Sequence, residues 1–281
     1  MHRLSWPELQ VSGYHDGPTT LGCHTDGTVA TRLVSPCLVL ALVSAGCATS
    51  RQGAVCTRFL PANQRGVILS ADGAGGFEAT SAALQEAVAQ VGLPLLVEPV
   101  DWSHGFGRVL ADQMDLDHAR SEGQRLAARI IALRVQRPNY DVYLVGHSAG
   151  CTVVLSAAEN LPADAVKRIV LLAPSVSADY DLRRALRSSR HGMDVFFSDR
   201  DFYYLGIGVA LTGTADRRWT SPAAGRTGFR PLVENWCDAA LYQKLRQHAW
   251  DPCVEWTGNR GGHYDGYKPD YLRSYVLPLF D

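Results

Sequence analysis

A serine lies between two small residues in the pentapeptide GHSAG, which spans residues 146–150. The apolar run DVYLV precedes it, and the helix-forming run TVVLSAA follows shortly after. This order matches Gly-x-Ser-x-Gly, in which a serine occupies a sharp, strained turn between a strand and a helix. The glycines leave room for the turn, and the helix N-terminus favours negative charge on the serine oxygen. The pattern and its context predict that Ser148 is a nucleophile; the alternative is a tight turn that contains a serine by chance.

A serine hydroxyl is unreactive without a nearby base, so one of the nine histidines must serve it. The glycine-rich segment GGHYDGY places His263 on a loop after the last strand candidate and before the last helix candidate. We therefore predict that His263 is the base. The alternative is His104 in WSHGFG, which we expect to be a pocket-wall residue instead.

The third catalytic group is an acid that orients the histidine and stabilises its cation. It should follow the strand candidate MDVFFS, and the segment SDRDFYYL offers Asp199 and Asp201. Asp201 precedes an apolar run and can be buried there, whereas Asp199 lies in the middle of a turn, where aspartate is usually solvated. We favour Asp201, keep Asp199 as the alternative acid, and regard Asp265 as a weaker rival.

An oxyanion hole needs two backbone N–H groups that point at one position. The residue after the nucleophile, Ala149, supplies one. The glycine-rich loop DGAGG, residues 72–76, lets the backbone approach a substrate closely, and we predict that Ala74 supplies the other. The alternative is a phosphate-binding loop, but the spacing Gly-x-Gly-x-x-Gly is not met, because Glu78 stands at its last position.

The elements that must position these residues alternate along the chain, as in an α/β fold. Several strand candidates are almost continuous in Val, Ile and Leu, as expected of strands covered on both faces. The prediction is one domain with a mostly parallel central sheet and helices on both faces. The strand candidates are 66–71, 94–100, 141–146, 166–173, 193–198 and 254–258, and the helix candidates are 80–91, 108–136, 152–161 and 270–279.

The elbow, the glycine loop, an acid after a later strand and the late His263 together resemble the α/β-hydrolase fold family, in the chain order Ser, Asp, His. The resemblance covers residues 64–281. It implies a serine hydrolase that cleaves carboxylic esters through an acyl-enzyme, with no cofactor and with a small-molecule or lipid-like ester as substrate. The alternatives are a peptidase, thioesterase or acyltransferase on the same fold, or a non-catalytic exported lipoprotein of that fold.

Charge and composition favour catalysis over binding to a polyanion. The chain has 27 basic and 28 acidic residues, a net charge of −1, and no lysine or arginine run. We therefore expect no nucleic-acid partner. Residues 201–236 are rich in Gly, Thr and Arg, and form either a cap over the site or a surface loop. Trp102, Trp219, Phe229 and Trp236 are candidates for an apolar acyl pocket or for the core.

Residues 31–51 have the order typical of a secretory signal: an arginine, an apolar stretch and small residues before Cys47. The end SAGC resembles a bacterial lipoprotein box, with Cys47 as the lipidated residue. We expect residues 1–30 to be untranslated or disordered, 31–47 to be a signal peptide and 48–63 to be a linker. The expected location is the periplasm or cell envelope, with a candidate membrane tether at Cys47; the alternative for the apolar stretch is a buried core element.

Cysteine and histidine spacing predicts no metal site, because there is no CxxC and no zinc-like His/Cys cluster. In an oxidising compartment, Cys237 and Cys253 form a candidate disulfide. Cys151 follows the elbow and is expected to pack as a small buried apolar residue.

Overall fold

The structure is a computed structural model that describes residues 64–281. The predicted signal peptide, the linker and Cys47 lie outside these residues. Within residues 64–281, no helix is both long and apolar enough to cross a membrane.

Six parallel strands form one sheet in the order β2-β1-β3-β4-β5-β6. The chain runs outward from β1 to β2 and then returns to the other side of β1 with β3. This reversal creates a crevice at the carboxyl ends of β1 and β3, where ligands bind in open α/β sheets. The strands are β1 (Gly66–Ala71), β2 (Leu95–Pro99), β3 (Asp141–His147), β4 (Arg168–Leu172), β5 (Met193–Phe197) and β6 (Leu245–Ala249).

Helices cover both faces of the sheet, which confirms the predicted fold class. Successive strand residues point to opposite faces, so Leu144 packs with α3, α4 and α5 while Tyr143 packs with α1 and the C-terminal segment. The α-helices are α1 (Ala79–Val91), α2 (Val109–Met114), α3 (Leu116–Gln136), α4 (Gly150–Glu159), α5 (Arg183–Ser188), α6 (Val209–Thr212), α7 (Ala224–Thr227), α8 (Trp236–Tyr242) and α9 (Pro269–Tyr271).

Tighter and wider helical turns connect several of these elements. The π-helices are Tyr203–Gly208 and Leu272–Val276, and the 3-10 helices are Pro252–Thr257, Asp265–Tyr267 and Leu277–Phe280. The predicted closing helix 270–279 is therefore helical but irregular, and its last turn contains Pro278, which cannot donate a backbone hydrogen bond.

One predicted strand is wrong. Residues 254–258 belong to a 3-10 helix and its cap, and the sixth strand is β6, with the sequence LRQHA. β6 is an edge strand whose residues are half-buried or exposed, so it lacks the apolar run by which the other strands are recognised. The long candidate 108–136 is also two helices, α2 and α3, which break at Asp115, the N-cap of α3.

The candidate disulfide is not formed in the structure. Cys237 and Cys253 are both free and exposed. Cys237 lies in the first turn of α8 and Cys253 in the 3-10 helix after β6, so a five-residue strand separates them and carries the chain roughly 15 Å along the sheet. The spacing in sequence did not reveal this intervening strand.

Parallel pairing of β1 with β3 brings the two predicted catalytic loops together. Ala71 at the end of β1 pairs with Gly146 near the end of β3. The glycine loop that follows Ala71 therefore lies beside the elbow that follows Gly146, at the carboxyl edge of the sheet.

Candidate active site

The elbow holds Ser148 in a left-handed backbone conformation, with φ at 51°. A non-glycine residue at positive φ is strained, and such strain occurs at functional sites. The flanking glycines allow close packing: a Cβ on Gly150 would lie 2.3 Å from the carbonyl oxygen of Ala71, and one on Gly146 would lie 2.9 Å from the Cα of Cys151. The turn therefore requires glycine at both positions.

The structure brings Ser148, His263 and Asp201 into one hydrogen-bonded chain. His263 Nε2 lies 2.9 Å from Ser148 Oγ, and His263 Nδ1 lies 2.5 Å from a carboxylate oxygen of Asp201. All three residues are buried. Since the Asp201 carboxylate accepts, Nδ1 carries the proton and Nε2 presents its lone pair to the serine hydroxyl. This geometry is that of a nucleophile, a general base and an orienting acid.

The elbow histidine anchors the loop that carries His263. His147 Nε2 donates to the backbone carbonyl of His263 at 3.0 Å. Complete burial, together with the nearby His263, lowers the pKa of His147 to about 3, so its ring is neutral at ordinary pH. His147 thus acts as a neutral donor that holds the backbone of His263 beside the elbow.

Two further contacts shape the surroundings of His263. The Asp265 carboxylate accepts hydrogen bonds from the amides of Arg260 and Gly262, which tightens the loop. The ring of Tyr204 stacks on the His263 ring, with centroids 4.8 Å apart and planes inclined by 18°. Stacking of this kind favours an imidazolium, because the face of an aromatic ring attracts a cation.

The rival residues have other positions. Asp199 is exposed and Asp265 caps its own loop, so neither contacts the His263 ring nitrogens. His104 binds Asp112 through Nδ1 at 2.9 Å and approaches Asp115 through Nε2 at 3.3 Å. His104 does not line the cavity at Ser148, contrary to the expected pocket-wall position, because these contacts hold its ring beside Asp112 and Asp115.

The glycine loop after β1 lies against the elbow. A Cβ on Gly73 would be 2.9 Å from His147 Nδ1 and 3.4 Å from the Ser148 Cβ. The amides of Ala74 and Ala149 donate to no acceptor within residues 64–281, so both are free to bind an oxyanion. The assignment of these two amides to the oxyanion hole stays a prediction.

Asp72 holds the glycine loop to α1. Its carboxylate accepts from the backbone amides of Thr80 and Ser81 and from the Ser81 hydroxyl, at the N-terminus of α1. Burial raises the pKa of Asp72, against these hydrogen bonds. The Trp102 indole also donates to the Asp72 carbonyl at 2.9 Å, so Trp102 supports the loop from below.

A second buried carboxylate, Asp112 on α2, holds the other end of the loop. It accepts from the Gly75 amide at 2.7 Å, the Ser103 hydroxyl at 2.6 Å and the His104 amide at 2.8 Å. Burial opposes its charge, but these hydrogen bonds outweigh burial and hold the pKa of Asp112 below its usual value. Ala74 therefore lies between two fixed points, Asp72 and Gly75.

An apolar cavity of about 440 Å³ opens onto Ser148. Segments from the glycine loop, α2, the first π-helix and the His263 loop surround it. Most of its wall is aliphatic or aromatic, interrupted by polar side chains such as Glu78, Gln113 and Ser175, as in sites that bind small organic ligands. Its principal apolar lining residues are Phe77, Val109, Leu110, Tyr203, Tyr204, Leu205, Val209, Tyr264 and Tyr267.

The aromatic residues that the sequence offered as acyl-pocket candidates are not in this wall. Trp102 and Phe229 are buried in the core, and Trp219 and Trp236 are exposed. Of the two interpretations of residues 201–236, the cap is correct for their first part: Tyr203–Gly208 and α6 form one wall of the cavity. The sequence signal for a cap was the position of this segment, which lies between the predicted acid and the predicted base in the chain.

The roles of Asp112, His147 and Tyr204 were not evident from the sequence. Each acts on a residue far away in the chain, such as Asp112 on Gly75 and Tyr204 on His263. No group of three or more His, Cys, Asp or Glu residues within 64–281 is arranged to hold a metal ion.

The chain is similar in part to one known protein family. The family model described as serine hydrolase matches residues 98–192, a segment that contains the elbow but neither Asp201 nor His263. No curated protein matches the sequence.

Several solved structures are similar to the chain, with low identity and TM-scores under 0.5. An esterase from Pyrococcus furiosus is 10% identical, with a TM-score of 0.48 over 77% of this chain and 82% of its own. A poly(3-hydroxybutyrate) depolymerase from Bordetella parapertussis is 15% identical, with a TM-score of 0.47 over 78% and 85%. The acetyl xylan esterase catalytic core from Trichoderma reesei is 14% identical, with a TM-score of 0.41 over 78% and 98%.

The parallel sheet reverses its strand order at the site, a strained serine follows its third strand, and the serine hydrolase family model covers that same region. The described domain therefore has an α/β fold with a parallel sheet, and its elbow region, residues 98–192, is similar to the serine hydrolase family.

Proposed function

We propose that the protein is a carboxylic-ester hydrolase that uses Ser148, His263 and Asp201 as its catalytic triad. The observation that carries the proposal is the His263 ring, which bridges Ser148 Oγ at 2.9 Å and Asp201 at 2.5 Å. A buried imidazole with these two partners serves as a general base toward a serine hydroxyl.

In the proposed reaction, His263 Nε2 takes the proton of the Ser148 hydroxyl as Oγ attacks the ester carbonyl carbon. The carbonyl oxygen becomes an oxyanion, which the amides of Ala149 and Ala74 bind. His263 then gives the proton to the leaving alcohol as the ester C–O bond breaks, and an acyl-enzyme forms on Ser148. Water, activated by the same imidazole, releases the acid and restores the hydroxyl.

The cavity supports an ester with an uncharged acyl group. Aliphatic and aromatic side chains make up most of its wall, and no lysine or arginine among residues 64–281 lines it, so an anionic acyl group would lose its hydration there without a cationic side chain to pair with. The phenol of Tyr267, in this wall, has its pKa raised to about 12 by burial and by the charge of Asp72, so it is neutral. An acyl chain of moderate length fits the volume of about 440 Å³.

The experiment is hydrolysis of p-nitrophenyl butyrate by the wild type and by Ser148→Ala. The expected kcat of the variant is lower by roughly 10⁶-fold. Ser274→Ala, which changes an exposed serine of the C-terminal π-helix, is the matched control and should retain full activity. A wild type that hydrolyses no ester, or a Ser148→Ala variant with undiminished activity, would refute the proposal.

We also propose that the protein is exported to the cell envelope and tethered there by a lipid on Cys47. The support is the order of charged, apolar and small residues in 31–47. Fractionation tests it: the wild type should sediment with membranes, and Cys47→Ser should not. A wild type that stays in the cytosolic fraction would contradict it.

A further inference from the structure

Two strips of exposed apolar side chains flank the mouth of the cavity. The first follows the glycine loop and runs along α2, where Phe106, Leu110 and Met114 recur every four residues. Phe106 is 83% exposed, and its ring packs edge-on against Phe77, a residue of the cavity wall, with centroids 5.2 Å apart. We call these residues the α2 strip.

The second strip lies on the opposite wall, along the first π-helix and α6. Tyr203, Ile207 and Leu211 again recur every four residues, and Leu211 is 74% exposed. The surrounding sequence FYYLGIGVALTGT, residues 202–214, contains no charged side chain. We call these three residues the α6 strip.

The two strips border the same opening. Leu110 of the α2 strip and Tyr203 of the α6 strip both line the cavity at Ser148 while remaining largely exposed. Gln113 on α2 also donates to the carbonyl of Gly213, just after α6, at 3.4 Å, which links the two walls. Exposed apolar groups on this scale mark a site of interaction rather than ordinary surface.

We propose that the α2 and α6 strips dock the enzyme on the surface of an aggregated, water-insoluble, uncharged ester. The inference rests on the proposed esterase function. A partner protein or a second copy seated on both strips would cover the cavity mouth, whereas the surface of a substrate aggregate would present acyl chains to it.

The α6 strip is itself uncharged, because residues 202–214 contain no charged side chain. Two arginines beside it already have partners in the chain: Arg217 donates to the Thr212 carbonyl, and Arg226 lies over the Phe202 ring. The acyl chain would pass from the aggregate into a largely apolar wall, because Leu110 and Tyr203 belong both to the strips and to the cavity lining. The strips and the cavity thus form one apolar path to Ser148.

The experiment compares a dissolved ester, p-nitrophenyl acetate, with emulsified tributyrin. The test variant is Phe106→Ser/Leu211→Ser, because both side chains are exposed and neither lines the cavity. The matched control is Val135→Ser/Trp236→Ser, which removes two equally exposed apolar side chains that lie outside the strips and the cavity wall.

The test variant should keep its rate on p-nitrophenyl acetate within about twofold of the wild type and lose roughly tenfold or more on the emulsion, because less apolar surface is buried at the droplet. The control variant should match the wild type on both. As a measurement independent of turnover, Ser148→Ala protein should float with tributyrin droplets, and the same protein with the two strip changes should not.

Three results would overturn the docking surface. They are a test variant with wild-type activity on the emulsion, an equal loss on both substrates, and a wild-type dimer that dissociates in the test variant, which would assign the strips to a contact between copies. A wild type that cleaves p-nitrophenyl acetate but does not bind droplets refutes the docking surface alone. Failure to cleave either ester refutes the proposed function itself.

Discussion

His263 holds its position through contacts at both ring nitrogens and at its backbone. Asp201 fixes the Nδ1 proton, Ser148 meets Nε2, and His147 binds the carbonyl oxygen. At the scale of single residues, these contacts determine the tautomer of the ring and its distance from the hydroxyl. Both properties are needed before proton transfer can accompany attack by the serine.

Replacement of Asp201 by asparagine should lower kcat by about 10³- to 10⁴-fold, because an amide favours the wrong tautomer of His263. KM for a short p-nitrophenyl ester should change much less, since Asp201 does not line the cavity. Steady-state kinetics measure both constants. The control is Asp199→Asn, an exposed carboxylate two residues away, which should behave as the wild type. Equal losses in the two variants would remove Asp201 from the triad.

His147 should make the fold sensitive to acid. Its pKa is about 3 in the folded protein because of burial and the neighbouring His263, against a normal value of 6.5. Between these values the unfolded chain binds a proton that the folded chain does not, so stability is full above pH 6.5 and falls as the pH drops toward 3.

The test is His147→Gln, which keeps an amide donor for the His263 carbonyl and does not titrate. From pH 7 to pH 5, the wild type should lose about 2 kcal/mol of unfolding free energy more than the variant does. Urea denaturation at the two pH values gives this difference. Parallel pH dependence in the two proteins would show that His147 is not the responsible group.

At the scale of elements, the site depends on how α2 is tied to the loop after β1. Asp112 accepts from the Gly75 amide while Val109 and Leu110 of the same helix line the cavity. One short helix thus positions the proposed oxyanion loop and forms part of the acyl wall. The sequence did not reveal this link, because 37 residues separate the two partners and nothing local connects them.

Asp112→Asn should therefore lower kcat more than KM. Asparagine has a single acceptor oxygen, so it cannot accept from Gly75 and Ser103 on one side and from the His104 amide on the other, as the two carboxylate oxygens do. The loop then shifts, and the Ala74 amide no longer points at the oxyanion. We expect kcat to fall by roughly tenfold to a hundredfold, less than the loss of a whole oxyanion donor.

The control for Asp112 is Asp117→Asn, an exposed carboxylate near the start of α3 that should leave both constants unchanged. Circular dichroism at the assay temperature verifies that each variant is folded. A variant at position 112 with normal kcat would mean that the loop is positioned without this carboxylate, and a rise in KM alone would assign Asp112 to substrate binding.

At the scale of the whole molecule, the sequence predicted most of the sheet because buried parallel strands need apolar residues on both faces. β1 was predicted with its observed bounds, Gly66–Ala71, and β3, β4 and β5 within a few residues. β6 was not predicted, because an edge strand has fewer neighbours and tolerates polar residues. The chain order of Ser148, Asp201 and His263 followed from the fold family and from the loops at strand ends.

The cavity wall could not be predicted in the same way. Tyr203 and Leu110 line the same cavity only because the strand order places their segments at one edge of the sheet. In sequence, both residues look like ordinary core or surface residues. Only the three-dimensional arrangement identifies them as part of a cavity wall. The disulfide prediction likewise relied on sequence spacing alone, and both Cys237 and Cys253 are free thiols in the structure.

Thiol chemistry checks the packing of the described domain. In the native protein, iodoacetamide should alkylate Cys237 and Cys253 without prior reduction, while the buried Cys151 should react only after unfolding. Cys253 should react more slowly than Cys237, because a hydrogen bond to Asp251 raises its thiol pKa. Peptide mapping by mass spectrometry measures each site. Recovery of Cys237 and Cys253 as a linked pair would contradict the structure.

The nucleophilic role of Ser148 is the central claim, and covalent labelling tests it most directly. After treatment of the whole protein with a fluorophosphonate probe, tryptic mapping should find one stoichiometric adduct, on the peptide that contains Ser148. Labelling should disappear in Ser148→Ala and fall strongly in Asp201→Asn, in which the base is misoriented. The absence of an adduct from active wild-type protein, or an adduct on a different serine, would contradict the account.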